Sequence, residues 1–347
     1  MKKFLSIALA LLMVCVMLPV VALAAEKTAS TYEELKSAIS TANDGDTIKL
    51  LADIDLSQTI TVNKTITLNM NGKKLYNTSD LWDTPTAEAD NWSLISVRGS
   101  GNLTITGNGT FAAKENDCYA VDVQESATVT IKNGTFIGNI HAVYVFAGTA
   151  NVEGGTYSVQ QKYPDPAKGD EFVLNCYDAN RANGTARINV TGGTFKNFNP
   201  ADNKAEGEGN NFADNSLVVQ KNNTVQNNDY YVGNAANEVI AAASKGEEIF
   251  VLNGTTLTNV PAGVIIQNGT DGEITVNGEK IGPNEGGDSG YVVPAPTTIV
   301  IITPSEDTTP KTEDQKNPST GANDFVGLAA AAAVVALLGS AVVLRKK

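Results

Sequence analysis

The sequence predicts an all-β fold in which short strands wind into a solenoid of stacked coils. Three observations carry the prediction. One phrase recurs at Leu103–Phe111 (LTITGNGTF), Val129–Phe136 (VTIKNGTF), Ala150–Tyr157 (ANVEGGTY) and Ile188–Phe195 (INVTGGTF), with a looser copy at Ile66–Leu75. Each copy is a period-2 strand, a tight Asn-Gly or Gly-Gly bend, and a second strand opening on an inward aromatic or leucine. Gly and Asn tolerate the positive φ that such bends require. A third strand follows each phrase, at Leu94–Val97, Ala120–Val123, Ala142–Val145, Val173–Cys176 and Leu217–Val219. Finally, the closing aromatics recur at spacings of 25, 21 and 38 residues. Self-similarity at such a period marks units that cannot bury an inner face alone and stack to share one. An antiparallel sandwich, with the Asn-Gly pairs as hairpin turns, stays open beside it. The solenoid commits Phe111, Phe136, Tyr157 and Phe195 to a single column.

Taken in order, residues 1–24 read as a removable leader. Lys2 and Lys3 form a positive start, Phe4–Val21 is apolar, and Ala22-Leu23-Ala24 is a small-x-small cleavage site placed before Ala25. Residues 25–229 hold the coils. Ser30 with Glu33 forms a capping box, and Leu35, Ala38, Ile39 and Ala42 share one face of the helix it opens. That helix covers the open N-terminal end of the stack, which would otherwise expose unpaired edges. Asp44-Gly45-Asp46 ends it, and Ile48–Leu51 begins the first strand. At 230–282 the arrangement returns as a related second unit, with Val239–Ala243, Gly246, Ile249–Leu252 and Asn277-Gly278; Gly45 and Gly246 lie 201 residues apart. Residues 283–316 are rich in Pro, Thr and acids, cannot bury a core, and read as an extended spacer.

The last segment, 317–347, is Asn317-Pro318-Ser319-Thr320-Gly321, a 20-residue apolar run from Phe325 to Leu344, and Arg345-Lys346-Lys347. Such a run suits a helix crossing a ~30 Å hydrocarbon core, and terminal cations hold the cytoplasmic side. By itself this fits an ordinary transmembrane anchor. The five-residue motif ahead of it resembles the cell-wall sorting signal of Gram-positive surface proteins, in NPxTG rather than LPxTG form. That resemblance implies that a sortase cuts between Thr320 and Gly321 and joins the Thr320 carboxylate to peptidoglycan, so the chain meets the membrane only before sorting. The coil pattern likewise resembles right-handed parallel β-helices of the pectate-lyase-like architecture. Together the two resemblances imply a secreted, wall-attached surface protein with sortase and peptidoglycan as partners.

Composition narrows the ligand. With the leader and the sorting tail removed, the mature part carries 20 Lys+Arg against 37 Asp+Glu, a net charge of −17. Nucleic acid and anionic lipid require clustered cations, so neither is expected. Neutral glycans, cationic ligands or divalent ions fit. Cys15 leaves with the leader, and Cys118 and Cys176 are expected as buried thiols packing like small apolar residues.

The coils differ mostly at the corner between second and third strands, and insertions at one corner of a stack project on one side, where solenoids bind. Candidate ligand-binding residues are therefore Trp82 and Trp92 of the first insertion, Tyr163 and Asp165 of the fourth, and Tyr119 and His141, expected as an exposed floor on the short coils between. Tyr144 joins that floor. Aromatic faces beside carboxylates suit sugars, since rings stack on C–H faces while carboxylates accept hydroxyl hydrogen bonds. The plain alternative is that both tryptophans pin the insertions down. No cofactor is specified; calcium is the ion such carboxylates would suit, although no EF-hand or nonapeptide repeat is present. No catalytic residues are assigned: no Asp-Asp or Asn-Thr-Asp motif resembling those of β-helix hydrolases occurs, a long-range pairing of Asp122 with Asp178 stays open, and only Arg98, Arg181 and Arg187 remain as arginine bases. Three function classes follow: an adhesin or glycan-binding display module, a wall-attached polysaccharide lyase or glycoside hydrolase, and a passive structural surface protein.

Overall fold

A computed structural model describes residues 24–81, 92–115, 118–161, 172–202, 211–221, 228–284 and 289–296. The described chain is mostly β and is built from long parallel sheets in a β-helix-like arrangement. Among the described residues, five coils contribute one strand to each of three faces, and the first two faces extend beyond them. The first face stacks Glu26–Ala29, Thr47–Leu50, Thr65–Asn69, Asn102–Thr106, Thr128–Ile131, Gly148–Val152 and Ala186–Val190, all parallel. The second strands stack as Ile54–Asp55, Lys74–Tyr76, Thr110–Ala112, Thr135–Gly138, Thr156–Val159 and Gly193–Lys196. The third strands stack as Ile60–Val62, Ser93–Val97, Tyr119–Val123, Val143–Val145 and Leu174–Cys176. Each Asn-Gly or Gly-Gly bend therefore joins two different sheets, where a sandwich would have made it a hairpin.

Register follows the phrase letter by letter. Ile66, Leu103, Val129, Ala150 and Ile188 are successive partners on the first face, and Leu75, Phe111, Phe136, Tyr157 and Phe195 on the second. Parallel in-register pairing puts like residues one strand spacing apart, about 4.8 Å. The rings accordingly stack with centroids 4.8 Å (Phe111–Phe136), 5.1 Å (Phe136–Tyr157) and 5.0 Å (Tyr157–Phe195), within 13° of parallel. All four are fully buried. Tyr157 disposes of its hydroxyl by donating to Gly154 O at 2.6 Å, so a polar atom sits in the column without an unmet hydrogen bond.

The recurring glycine has a physical cause. Gly134, Gly155 and Gly193 hold φ of 117°, 100° and 120°, outside the range of most L-residues. A Cβ at each would also meet the carbonyl oxygen of the equivalent glycine one coil earlier, at 3.1 Å from Gly109 O, 2.9 Å from Gly134 O and 3.0 Å from Gly155 O.

Helix α1, Tyr32–Ser40, buries Leu35, Ala38 and Ile39 against the first coil. Its cap lies one residue later than the sequence motif placed it. Thr31 adopts the extended conformation (φ −134°, ψ 164°), and its hydroxyl accepts Glu34 N at 3.2 Å. Glu34 Oε2 accepts Ser30 N at 2.7 Å. Thr31-x-x-Glu34 is as good a box as Ser30-x-x-Glu33, and the strand Glu26–Ala29, which carries the chain to Ser30, selects it. That strand was not anticipated; only Ala29 of its four residues is buried, and it exists through pairing with Thr47–Leu50.

The fifth third-strand departs from expectation. Val218–Lys221 does not join the third face but pairs antiparallel with Asp229–Val232, which itself runs antiparallel to Gly193–Lys196. Reversal of direction at Asp229–Val232 ends the parallel stack there. Helix α2, Asp178–Ala182, follows the third strand Leu174–Cys176 after a single residue. Helix α3, Asn234–Ala241, packs on the strands around this reversal, and a second apolar core gathers Ala236, Ile240, Ile249, Val251, Ile266 and Val276. The residues Gly45 and Gly246, 201 apart, close equivalent helix-to-strand turns with φ of 93° and 85°.

Candidate ligand-binding face

The third face carries an outward arrangement of polar and aromatic side chains. Its strands are held in register, with inward Val62, Val97, Val123, Val145 and Cys176 as successive partners. The outward row one residue earlier is Thr61, Ser96, Asp122, Tyr144 and Asn175. The residues directly after the strands are Arg98, Gln124, Phe146 and Tyr177. The second of these rows changes from polar to aromatic along the stack, whereas the first carries one aromatic, Tyr144, between Asp122 and Asn175.

At the polar end, Ser96 Oγ donates to Asp122 Oδ2 at 2.8 Å, and Gln124 Nε2 donates to both carboxylate oxygens at 2.8 and 3.0 Å. Arg98 Nε donates to Ser96 Oγ at 2.9 Å. A buried carboxylate without such donors would be strongly disfavoured; here the hydrogen bonds hold Asp122 in one orientation. The rings run across the coils: Trp92 and Tyr119, at the starts of their strands, lie 6.2 Å apart, Tyr119 and Tyr144 5.1 Å, and Phe146 and Tyr177 4.8 Å between centroids. Trp92, Phe146 and Tyr177 remain 43 %, 39 % and 44 % exposed. Together these rings wall an open cleft of about 220 Å³, with Asp122 and Gln124 as its polar groups. Burial, then the neighbouring Tyr119 and Asp122, pushes the Tyr144 phenol up, so it stays a neutral hydroxyl.

His141 behaves differently from the exposed floor residue expected of it: it is 6 % exposed. Its ring lies 4.8 Å from Tyr119 and 5.3 Å from Tyr144 by centroid. Nδ1 sits 2.7 Å from Phe172 O, which assigns the proton there, and Nε2 accepts from Asn175 Nδ2 at 3.3 Å. Burial lowers its pKa to about 4 against the pull of the Phe172 and Ile140 carbonyls, so the ring is neutral and supports Tyr119 and Tyr144 from behind. The short corner explains the burial. The chain turns from Gly138 to His141 so tightly that a Cβ on Gly138 would lie 1.7 Å from His141 O.

Of the sequence candidates, the structure brings Trp92, Tyr119 and Tyr144 to this cleft. Trp82, Tyr163 and Asp165 lie outside the described residues, as do Ala22 and the motif Asn317-Pro318-Ser319-Thr320-Gly321. Ala24 and Ala25 are described and exposed. Phe146 and Tyr177 were missed, yet a signal existed: each follows the last inward residue of a third strand, so aligning those strands places them in one row. Cys118 and Cys176 are buried thiols that form no disulfide with each other, and burial pushes the Cys118 thiol up to about 12. Among the described residues no group of three or more His, Cys, Asp or Glu side chains is placed to hold a metal ion. Compared with known protein families, curated proteins and solved structures, the chain finds no match.

Proposed function

We propose that this chain is a cell-wall-anchored surface protein whose ectodomain, a right-handed parallel β-helix, binds carbohydrate on its third face. The observation that carries the binding role is the run of aromatic rings across four successive coils, beside an oriented carboxylate. Exposed rings in mutual contact present flat apolar area to the C–H faces of pyranoses, and Asp122, Gln124 and Tyr144 offer acceptors and donors for hydroxyls. The cleft is open and shallow, which suits part of a chain lying across coils better than an enclosed small molecule. A net charge of −17 over the mature part favours neutral over acidic glycans.

Anchoring rests on the leader, the spacer 283–316 and the NPSTG motif with its apolar run and basic end. In this reading a sortase links Thr320 to peptidoglycan and the spacer carries the binding face through the wall. Thr320→Ala should then leave the protein extractable by detergent from membranes; continued covalent attachment to purified peptidoglycan would refute the sortase step. For binding, a glycan array probed with residues 25–296, with and without calcium, should show hits lost in Trp92→Ala and in Tyr177→Ala. Hits retained by both variants place the ligand elsewhere, and Trp82→Ala then tests the first insertion.

A further inference from the structure

Asp46 stands in the turn between α1 and the strand Thr47–Leu50 and is 2 % exposed. Its Oδ2 accepts Asn43 N at 3.0 Å, and its Oδ1 accepts Ala25 N at 2.8 Å. Ala25 is fastened on its other side as well, its carbonyl accepting Thr47 N at 2.9 Å. Ala24 and Ala25 are themselves exposed. The bond that joins them thus lies at the surface, while the nitrogen it contains is aimed at a secluded carboxylate.

The second unit shows how such a carboxylate is completed. At the same offset of 201 residues, Ser244 and Glu247 take the places of Asn43 and Asp46. Glu247 Oε2 accepts Ser244 N at 2.6 Å, and Oε1 lies 3.0 Å from Lys221 Nζ. In the second unit one oxygen takes the backbone N–H three residues earlier and the other takes an ammonium. Around Asp46 the side-chain cations are turned to other acceptors. Lys64 Nζ donates to the Ser40 and Ala42 carbonyls at 2.6 and 2.7 Å, and Lys27 Nζ to Thr41 Oγ1 at 3.4 Å. The nearby carboxylate of Asp44 accepts Thr65 N at 3.0 Å.

We infer that removal of the leader completes this turn: the ammonium released on Ala25 seats on Asp46 where the amide N–H now points. The inference rests on the export reading above. Hydrolysis adds water across the Ala24–Ala25 bond, leaving a carboxylate on Ala24 of the departing segment and an ammonium on Ala25. No movement is required, because the nitrogen already stands 2.8 Å from Oδ1. A charge-assisted hydrogen bond replaces a neutral one, so the processed protein holds its first strand more firmly than the precursor does. Leader cleavage and closure of the N-terminal end of the stack become one event.

The test uses the exported protein. Intact mass and N-terminal sequencing should find Ala25 first. The Ala25 amine is then titrated through the pH dependence of its acylation, followed by mass spectrometry of the N-terminal peptide. In native protein the midpoint should lie about one unit above the ordinary α-amino range of about 7.7–8.0, and unfolding in urea should return it there. A glycine inserted between Ala24 and Ala25 leaves every side chain in place and should restore the ordinary midpoint in the folded protein. A start other than Ala25 overturns the processing reading and this inference with it. Ala25 found first with an ordinary native midpoint overturns the Asp46 seat alone.

Discussion

Phe136→Ala is the sharpest probe of the stacked interior. Both ring faces of Phe136 are covered, by Phe111 at 4.8 Å and Tyr157 at 5.1 Å, and the side chain is fully buried. Burying a phenylalanine contributes about 1.5–3 kcal/mol, and each ring contact about 0.5–1.5 kcal/mol beyond that. The neighbours cannot close the gap, because Thr135 and Ile137 on either side remain paired to the coils above and below. The expected loss is therefore about 4 kcal/mol, inside the usual ~3–5 kcal/mol for such truncations. Urea unfolding of residues 25–296, followed by far-ultraviolet circular dichroism, measures it. For a unit of this size the matching fall in Tm is roughly 10 °C. Phe146→Ala, on the outside of the same coil, should cost under about 1 kcal/mol. Phe111→Ala combined with Phe136→Ala shares one cavity and should cost less than the sum by at least about 0.5 kcal/mol. If Phe136→Ala costs no more than Phe146→Ala, or the double variant is strictly additive, the rings do not form one column.

His141 makes the fold acid-sensitive above the carboxylate range. The native ring, with its pKa near 4, takes a proton after the unfolded one, near 6.5, so its contribution is complete above about pH 6.5. That contribution falls by about 2 kcal/mol at pH 5 and roughly 3 kcal/mol by pH 4; urea midpoints of His141→Gln should lack this slope. Asp46 and Glu247, whose pKa values are lowered chiefly by backbone hydrogen bonds from Ala25 and Ser244, lose their contributions only below about pH 4.5. Gly138→Ala forces a Cβ to 1.7 Å from His141 O and should abolish soluble expression or cost more than about 4 kcal/mol. Gly272→Ala, with nothing within 4 Å of the added carbon, should change Tm by no more than a degree or two; equal effects from the two would remove the steric argument. Thr31→Ala should cost about 1 kcal/mol through loss of the α1 cap, whereas Ser30→Ala, which keeps its backbone N–H to Glu34, should be near neutral by thermal melting.

The inside of the stack was legible because parallel pairing repeats the same constraint at every coil. An inward valine, a bend glycine standing on the glycine below, and a closing aromatic are each required again 21 to 38 residues later, so chance resemblance fails quickly. Where pairing stops repeating, legibility stops. Glu26–Ala29 has one buried residue and is strand only by its partner. Leu217–Val219 carries the same apolar letters as the earlier third strands, yet Val218–Lys221 pairs antiparallel with Asp229–Val232. Apolar alternation records which side is buried and says nothing of chain direction. The cap at Thr31 was misplaced for a related reason: two boxes one residue apart are equivalent until a neighbouring strand fixes the register.

The candidate face was half legible for the opposite reason. Outward positions take no part in the shared interior column, so Ser96, Asp122, Tyr144 and Asn175 share a row without sharing a character. Tryptophan and tyrosine stand out by type alone, and the short corner at His141 reads in the sequence as exposure. In fact the shortness brings Phe172 and Asn175 down onto the ring. Only coil-to-coil alignment, taken from the inward column, converts scattered outward residues into neighbours about 4.8 Å apart. The constrained interior thereby supplies the coordinates of the unconstrained exterior. With Val97, Val123, Val145 and Cys176 fixed inward, Arg98, Gln124, Phe146 and Tyr177 must line up beside them, and the passage from charged to aromatic along that line gives the face its polarity.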